Sequence, residues 1–370
     1  MSLTRAIGLM SGTSMDGVDI AFIETDGEHA IALRAAGFFP YTQEDRALLR
    51  SALDDARSLE DRRARPGALA PAEAMVTSRH AEAVERFLAA ENIDRATIDL
   101  VGFHGQTVLH RPERGLTAQI GDGAGLAEKL KLKVAYDFRA ADVLRGGQGA
   151  PLVPVFHRAL AAAAGFAEPV AIINIGGIAN VSFVEADKEP IAFDAGPGNA
   201  LVDDLMLART GAAIDRDGVA AAKGKVDEAL LSELLAHAFF ALEPPKSLDR
   251  NDFSGLPVAR LGLEDAAATL TAFTAAGIAS AFMHLPSQPT LAIICGGGAR
   301  NPTLMRELSL RLSCRVADAD SFGWSADAME AQAFAYLAVR CVKGLPITFP
   351  TTTGAPAPLP GGVLGEPNGR

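Results

Sequence analysis

A short turn near the N-terminus collects hydroxyl and carboxyl groups at a spacing that suits phosphate binding. Residues 8–19 read GLMSGTSMDGVD, in which apolar, strand-like residues flank a cluster of Gly, Ser, Thr and Asp. Main-chain N–H groups in such a turn can converge on an anion, and the hydroxyl groups add donors. Asp16 or Asp19 could hold Mg²⁺ beside a polyphosphate, directly or through water. An ordinary hairpin turn, in which Asp-Gly supplies residues with positive φ, explains this segment alone equally well.

Two further glycine-rich turns follow apolar strands in the second half of the chain. NIGGIANVS contains Gly176 and Gly177, which let a ligand approach the backbone closely, although a β-bulge is the simpler explanation of this segment alone. CGGGARNP places residues 296–298 between a buried strand and a helix that begins near Asn301. Because ligands of open α/β sheets bind at the carboxyl ends of strands, this turn favours a ribose or a flat ring.

The segment FDAGPGN contains a carboxylate that could do proton chemistry. Asp194 follows apolar strand residues and precedes a Gly-Pro-Gly turn into a helix. A carboxylate in that position could act as a general base on a proton within about 3 Å. An aspartate that only accepts N–H groups of the turn is an equally good interpretation of the segment alone.

Polar side chains on two other strand ends suit a sugar, whose hydroxyl groups need several fixed donors and acceptors. GFHGQTVLHRP supplies His104 and Gln106, and YDFRAAD supplies Arg139. Arg139 could bind a carboxylate or phosphate with two hydrogen bonds, or it could form a structural ion pair with a neighbouring aspartate such as Asp137. The histidine spacing does not indicate a metal site. Glu330, in the last long helix, is a solvated residue by default.

The elements that position these residues repeat along the chain. The strand–turn–strand outline of residues 7–24 returns at 172–185, which predicts two related domains. The glycine-rich stretch 146–151 suggests a boundary, so we expect domains at 1–145 and 146–370, with the last helix packing back toward the first domain. Alternating strands and helices predict α/β domains with mixed sheets. We expect the tail from residue 351 to be irregular.

Composition excludes several classes of partner. The chain has 370 residues and a formal net charge of −11, which argues against binding to nucleic acid or to an anionic membrane. Its three cysteines form no CxxC pair, as expected in a reducing compartment. No signal peptide is evident, and we expect no apolar run near the ~20 residues that a membrane span requires. These features predict a soluble cytoplasmic protein.

The whole set of motifs resembles the anhydro-N-acetylmuramic acid kinases, which belong to the superfamily of sugar kinases, heat-shock chaperones and actin ATPases. The matching blocks extend from residue 8 to about residue 340 and are GLMSGTSMDGVD, HGQTVLHRP, QIGDG, DFRAADVLRGGQGAPLVPVFH, NIGGIANVS, FDAGPGN, CGGGARNP and DAMEAQAFAYLA. The resemblance implies duplicated actin-like ATPase (ribonuclease H-like) domains, with mixed sheets flanking a deep nucleotide cleft. It also implies ATP and Mg²⁺ as cofactors and a homodimer. The segment KSLDRN at 246–251 departs from the family's usual KSTGRE type.

The resemblance also implies a reaction. The family opens the 1,6-anhydro ring of anhydro-N-acetylmuramic acid with water while phosphorylating O6, and Asp194 matches the proposed general base. His104, Gln106, Arg139 and Glu330 match sugar-site residues. The residues that match the ATP site are Gly12, Thr13, Ser14, Met15, Asp16, Gly17, Val18, Asp19, Gly176, Gly177, Gly296, Gly297, Gly298 and Asn301, with Asp16 and Asp19 as candidates for Mg²⁺. Another sugar kinase of the same fold, acting on a free hydroxyl, is the alternative.

Overall fold

A computed structural model describes residues 3–12, 14–248, 252–253 and 257–368. The strands are β1 (Thr4–Ser11), β2 (Gly17–Thr25), β3 (Ile31–Pro40), β4 (Leu100–Arg111), β5 (Leu116–Ile120), β6 (Val134–Tyr136), β7 (Val170–Ile175), β8 (Ile178–Val184), β9 (Ile191–Pro197), β10 (Leu291–Cys295), β11 (Arg315–Asp318) and β12 (Val363–Gly365). The helices are α1 (Gln43–Ala56), α2 (Leu69–Ala90), α3 (Gly123–Leu130), α4 (Ala140–Val143), α5 (Pro154–Ala163), α6 (Ala200–Thr210), α7 (Val219–Lys223), α8 (Glu228–Leu235), α9 (Leu263–Ala281), α10 (Pro302–Arg311), α11 (Met329–Val342) and α12 (Pro350–Thr353).

The chain divides into two compact units, each with its own core. Unit 1 comprises Met1–Ala163 and Ala328–Arg370, and unit 2 comprises Ala164–Asp327. The first division therefore falls after Ala163 and not at the boundary expected at 145/146. Helix α5 belongs to unit 1 as a result, and the C-terminal segment returns to the same unit.

The two units share one sheet topology. In unit 1 the order is β12-β6-β4-β1-β2-β3, with β5 paired to β4; in unit 2 it is β11-β10-β7-β8-β9. Each sheet begins with an antiparallel meander of three strands. A fourth strand pairs in parallel with the first strand of the meander, and a fifth strand pairs in parallel with the fourth. The order β3-β2-β1-β4-β6 thus corresponds to β9-β8-β7-β10-β11. This equivalence confirms the duplicated α/β domains with mixed sheets that the repeat predicts, and it agrees with the actin-like, ribonuclease H-like fold that the resemblance implies.

Local sequence sets several helix starts, which fix the turns that follow strands. Thr42 accepts a hydrogen bond from the Asp45 N–H, and the Asp45 carboxylate accepts from the Thr42 N–H, which makes a capping box at α1. Asp122 caps α3 and Asp227 caps α8 through the backbone N–H three residues on. Asn301 caps α10, where a proline occupies the first helical position. Each cap satisfies N–H groups that the helix itself leaves unpaired.

Helix α11 lies against the sheet of unit 1 because two glycines make room for it. Gly8 and Gly102 are partners on the neighbouring strands β1 and β4. A Cβ at Gly8 would lie 1.8 Å from the Ala331 carbonyl oxygen, and one at Gly102 would lie 2.1 Å from that of Phe334. Any side chain at these positions would therefore push α11 off the sheet.

One helical stretch is long and apolar enough to resemble a membrane span. By length and composition the stretch Leu263–His284 could cross a membrane, with a mean hydropathy of 1.5. The expectation that no apolar run approaches that length is therefore wrong. Because 83% of its 18-residue apolar window is buried inside the protein, this stretch is accounted for as a core helix of unit 2.

The C-terminal tail is more regular than expected. It contains α12 and ends in β12, which pairs antiparallel with β6 at the edge of the unit 1 sheet. A local reading of a Pro- and Gly-rich tail does not reveal this pairing, because the partner strand lies in the first half of the chain.

Candidate functional site

The N-terminal turn (residues 12–16) connects β1 and β2 in unit 1. The Met15 N–H donates to the Gly12 carbonyl at 3.1 Å, and Met15 adopts a positive φ of 51°. The Ser14 hydroxyl donates to Asp16 Oδ1 at 2.7 Å. Thr13 lies outside the described residues. The turn is tight and polar at its tip, whereas Val18, which follows it, is buried in the core of the unit.

Two carboxylates of this segment are the candidate metal ligands. Asp16 is exposed at the tip of the turn, and Asp19 is half-buried on β2, opposite Met10 of β1. Among the described residues no group of three or more His, Cys, Asp or Glu side chains could hold a metal ion. A Mg²⁺ ion that keeps water and phosphate ligands needs only one or two protein carboxylates, so the donor set fits that ion.

The side chain of Gln106 faces the N-terminal turn. Its Oε1 accepts from the Ser11 hydroxyl at 2.7 Å, and its Nε2 donates to the Gly12 carbonyl at 3.1 Å. The residue is buried on β4. Gln106, which the resemblance assigns to the sugar, therefore has its strongest polar contacts within the turn that the resemblance assigns to phosphate.

His104 and Arg139 make direct contact in unit 1. Arg139 Nε donates to His104 Nε2 at 3.1 Å, so His104 carries its proton on Nδ1 and donates to the Gly105 carbonyl at 2.8 Å. Burial and the nearby charge of Arg139 hold the pKa of His104 well below its ordinary value. The imidazole is therefore neutral, and Arg139 fixes its tautomer.

Arg139 donates no hydrogen bond to a carboxylate among the described residues, although the negative charge of Asp142 acts on it. Its Nη1 donates to the Gly149 carbonyl at 2.7 Å. Asp137 pairs with Arg62, and Asp142 accepts from the Gly149 N–H and the Thr353 hydroxyl.

The position of Glu330 adds a carboxylate to this group. Burial lowers the pKa of Arg139, and the negative charges of Glu330 and Asp142 oppose that shift. Glu330 is exposed in the first turn of α11. We call His104, Arg139 and Glu330 the His-Arg cluster.

The glycine turn of unit 2 is held by the start of α6. The Asn199 N–H donates to the Gly176 carbonyl at 2.8 Å, and the Gly198 N–H donates to the Gly177 carbonyl at 3.0 Å. Asn199 Nδ2 also donates to the Ile175 carbonyl at 3.1 Å. The turn between β7 and β8 thus corresponds to the N-terminal turn of unit 1 and is similarly fixed by bonds to a neighbouring element.

A cavity of about 340 Å³ opens in unit 2 beside the turn of residues 296–298, which follows β10. Its wall combines apolar side chains with two arginines and several carboxyl, hydroxyl and amide groups. The lining residues are Gly198, Asn199, Val202, Asp203, Ile214, Asp215, Arg216, Asp217, Thr271, Thr274, Gly297, Arg300, Asn301 and Leu304. A volume and wall of this kind suit a small organic ligand with one flat, partly apolar group.

Of the residues predicted around this cavity, only Gly297 and Asn301 line it. Asn301 Oδ1 also caps α10 by accepting from the N–H groups of Thr303 and Leu304, each at 3.0 Å. Gly298 packs against Ile175 instead, where a Cβ would lie 2.5 Å from the Ile175 side chain.

Asp194 lies on β9 and has the environment of a base. Its N–H donates to the Lys246 carbonyl at 3.0 Å, and its Oδ2 accepts from the Leu248 N–H at 2.8 Å. Within the described ranges its Oδ1 accepts no hydrogen bond. Burial raises the pKa of Asp194 to about 6, and the bond from Leu248 opposes that rise. Of the segment 246–251, which departs from the family's usual type, residues 249–251 lie outside the described residues.

Sequence reasoning missed the loop that forms one wall of the unit 2 cavity. Residues 214–217 read IDRD, and Asp217 adopts a positive φ of 58°. Such a residue followed by Gly218 is a turn signal, and a cluster of three charges there could have been noticed. Tyr41, which contacts Ser11, was also missed.

Comparison with known proteins gives one consistent result. Residues 4–365 match the family model described as anhydro-N-acetylmuramic acid kinase. A protein of that name from Rhodopseudomonas palustris (strain HaA2) is 55% identical over 99% of this chain and 100% of its own length. Another from Azorhizobium caulinodans is 56% identical over 98% of this chain and 99% of its own.

A solved structure of a ROK family glucokinase from Streptomyces griseus, in complex with glucose and AMPPNP, aligns with a TM-score of 0.40. It is 13% identical, over 90% of this chain and 99% of its own. The family assignment rests on the sequence matches, which span both units. The chain belongs to the anhydro-N-acetylmuramic acid kinase family and is a phosphotransferase with an alcohol group as acceptor.

Proposed function

We propose that this chain is an ATP-dependent kinase that opens 1,6-anhydro-N-acetylmuramic acid with water and phosphorylates O6. The product is N-acetylmuramic acid 6-phosphate, which serves cell-wall recycling. The observation that carries the proposal is Asp194, whose pKa of about 6 makes it a stronger base than an ordinary aspartate. Membership of the family supports the choice of substrate.

Asp194 is the general base. It takes a proton from water as the water oxygen attacks C1 of the sugar, and the C1–O6 bond breaks. The freed O6 attacks the γ-phosphorus in line, and ADP leaves with the electron pair of the broken P–O bond. The proton on Asp194 then passes to solvent, so one water and one ATP are consumed for each sugar.

The N-terminal turn binds the phosphates of ATP. Its N–H groups are donors for anionic oxygens. The Ser14 hydroxyl, which donates to Asp16 Oδ1, would have to turn away from that carboxylate to add a further donor. The glycine turn at Gly176 and Gly177 has the equivalent place in the duplicated sheet, so we assign it to phosphate as well. Asp16 or Asp19 would hold Mg²⁺, which neutralises charge on the phosphate oxygens when it is bound.

The unit 2 cavity takes the adenosine. Val202, Ile214 and Leu304 offer apolar surface to a flat base, and Arg216 or Arg300 could stack on it. Carboxyl and amide groups of the wall can bind ribose hydroxyls. The cavity volume of about 340 Å³ is within the range of pockets that hold ligands of nucleoside size.

The His-Arg cluster binds the sugar. His104 is neutral, and its position is fixed by Arg139. Arg139 is held in turn by the Gly149 carbonyl. A guanidinium and a carboxylate, one from Arg139 and the other from Glu330, can bind the hydroxyl and carboxyl groups of an acidic sugar with charge-assisted hydrogen bonds.

Incubation of the protein with ATP, Mg²⁺ and the anhydro sugar tests the proposal. Formation of the sugar 6-phosphate and ADP in equal amounts is the expected result. A free-hydroxyl amino sugar such as N-acetylglucosamine serves as the comparison substrate. If that sugar is phosphorylated and the anhydro sugar is not, the chain is another sugar kinase of the same fold, and the proposal is wrong.

Two further properties are proposed from the sequence. Assembly as a homodimer follows from the resemblance, and residence in the cytoplasm follows from the cysteine pattern and from the sequence-based expectation of no signal peptide. Light scattering at several protein concentrations tests the first, because a stable dimer keeps twice the chain mass on dilution. Cell fractionation tests the second.

A further inference from the structure

Three buried side chains of unit 1 form a continuous hydrogen-bond chain that ends on the N-terminal turn. The Tyr41 hydroxyl donates to Ser11 Oγ at 3.0 Å, the Ser11 hydroxyl donates to Gln106 Oε1 at 2.7 Å, and Gln106 Nε2 donates to the Gly12 carbonyl at 3.1 Å. The exposed fractions of Tyr41, Ser11 and Gln106 are 7%, 1% and 1%. Little solvent is therefore available to replace any of these bonds.

The direction of this chain is fixed by its last acceptor. A carbonyl oxygen can only accept, so the Gln106 amide must present its NH₂ group to Gly12 and its oxygen to Ser11. Ser11 must then donate its only hydroxyl hydrogen to Gln106, which leaves its oxygen to accept from Tyr41. Burial is the main cause that raises the pKa of Tyr41 to about 12, so this tyrosine keeps its proton at physiological pH.

Tyr41 also holds the other side of the turn through its backbone. It follows β3, and its N–H donates to the Asp16 carbonyl at 2.8 Å. The adjacent pair Gly17 and Pro40 begins the pairing of β2 with β3. One residue therefore fixes both ends of the turn, Asp16 directly and Gly12 through Ser11 and Gln106.

The orientation of the Gly12 carbonyl matters for an anion. This oxygen accepts from Gln106 Nε2 and from the Met15 N–H, so it is turned toward the interior of the unit. A carbonyl that rotated outward would place a partial negative charge where a phosphate approaches. The inward position of the Gly12 carbonyl keeps its partial negative charge away from an anion bound at the turn.

We propose that Tyr41 is a positioning residue for ATP binding, acting through Ser11 and Gln106 on the Gly12 carbonyl. The inference rests on the proposed function of the N-terminal turn as a phosphate site. Tyr41 itself touches neither ATP nor the sugar in this account. Its effect is confined to the conformation of the turn, so ATP binding should change and sugar binding should not.

The test compares Tyr41→Phe with Tyr336→Phe. The control hydroxyl is also buried in unit 1 and donates to the Glu28 carbonyl at 3.1 Å, in the turn at the other end of β2. Kd for a non-hydrolysable ATP analogue is measured by calorimetry, KM is measured for both substrates, and thermal melts report stability. For Tyr41→Phe we expect Kd and KM for the nucleotide to rise about 3- to 10-fold, the factor that one lost hydrogen bond gives. KM for the sugar should stay within about twofold, since a single distant contact adds little.

A double-mutant cycle distinguishes an effect of Tyr41 that passes through Gln106 from a general loss of order in unit 1. If Tyr41 acts through Gln106, the effect of Tyr41→Phe on nucleotide Kd should largely disappear in a Gln106→Leu background. Equal nucleotide affinities for Tyr41→Phe and Tyr336→Phe, or additive effects in the cycle, would overturn the inference. A wild-type protein that binds the ATP analogue but makes no sugar phosphate would instead refute the proposed function, and the Kd comparison would still decide the role of Tyr41.

Discussion

Lowering the pH should inactivate Asp194 well before an ordinary aspartate would be protonated. Its carboxyl group accepts the N–H of Leu248, and burial raises its pKa to about 6. The base form is the ionised one, so activity should fall as the pH falls through this value. The relevant quantity is kcat/KM for the sugar, which at saturating ATP reports the ionisation of the enzyme–ATP complex before the sugar binds.

The size of the effect follows from the fraction of Asp194 that is ionised. With a pKa of about 6, about one-tenth of the carboxyl groups are ionised at pH 5, so kcat/KM should be about tenfold below its plateau. An aspartate with the ordinary pKa of about 3.9 would be about nine-tenths ionised at that pH and would lose almost nothing. The two cases therefore differ about tenfold at a single pH.

The assay is the initial rate of sugar phosphorylation at saturating ATP and low sugar, from about pH 4.5 to pH 8. ATP saturation is verified at each pH, so that a change in nucleotide affinity on protonation of ATP does not alter the measured rate. Circular dichroism at each pH verifies that the protein stays folded. The matched variant Asp194→Asn keeps an oxygen for the Leu248 N–H but cannot act as a base.

Two results would refute the reasoning. One is a profile that stays flat down to pH 5, which would mean that burial does not raise the pKa of the functional carboxyl. The other is an acid limb near pH 6 that survives in the residual activity of Asp194→Asn, which would assign the limb to another group.

Further predictions concern stability and substrate binding. Gly102→Ala should lower the free energy of unfolding by about 2–4 kcal/mol in urea titrations, because the new Cβ would lie 2.1 Å from the Phe334 carbonyl. Asp194→Asn should raise it at pH 7.5 by about 1 kcal/mol: the folded pKa lies above the unfolded one, so ionisation destabilises the fold, and partial solvent contact reduces the effect. Burial lowers the pKa of His157 to about 3, below the unfolded value of about 6.5. The stability that the neutral imidazole contributes is complete above about pH 6.5 and should be lost as the pH falls toward 3. Thermal melts of His157→Leu should therefore depend less on pH than those of the wild type. Arg139→Lys should raise KM for the sugar about tenfold with little change for ATP, because Lys cannot reproduce a guanidinium held by two acceptors.

The duplication was predictable because each copy of the strand–turn–strand hairpin has a recognisable local sequence pattern. The echo of residues 7–24 at 172–185 lies on the hairpins β1–β2 and β7–β8, which occupy equivalent places in the two sheets. Pairings between distant parts of the chain have no such local signal. The strand β12, at the C-terminus, pairs with β6 in the first half of the chain, and nothing in its short sequence VLG indicates the partner.

The same distinction applies to the site. Asp194 was a candidate because it follows apolar strand residues and precedes a Gly-Pro-Gly turn. The sequence could not give the value of its pKa, because burial in the folded unit raises it and a hydrogen bond from Leu248, which is distant along the chain, opposes that rise. Likewise, Gln106 was a polar residue on a strand, and its link through Ser11 to Tyr41 joins three separate parts of the sequence.

Oxygen from water is the most direct test of the central claim, that water opens the sugar ring at C1 while O6 is phosphorylated. The reaction is run in ¹⁸O-labelled water, quenched at once, and the product is reduced and analysed by mass spectrometry. Pre-formed product, held in labelled water for the same time, corrects for exchange at C1. The account predicts one ¹⁸O at C1 and none in the phosphate ester at O6. Product without label at C1, or with label at O6, would contradict it.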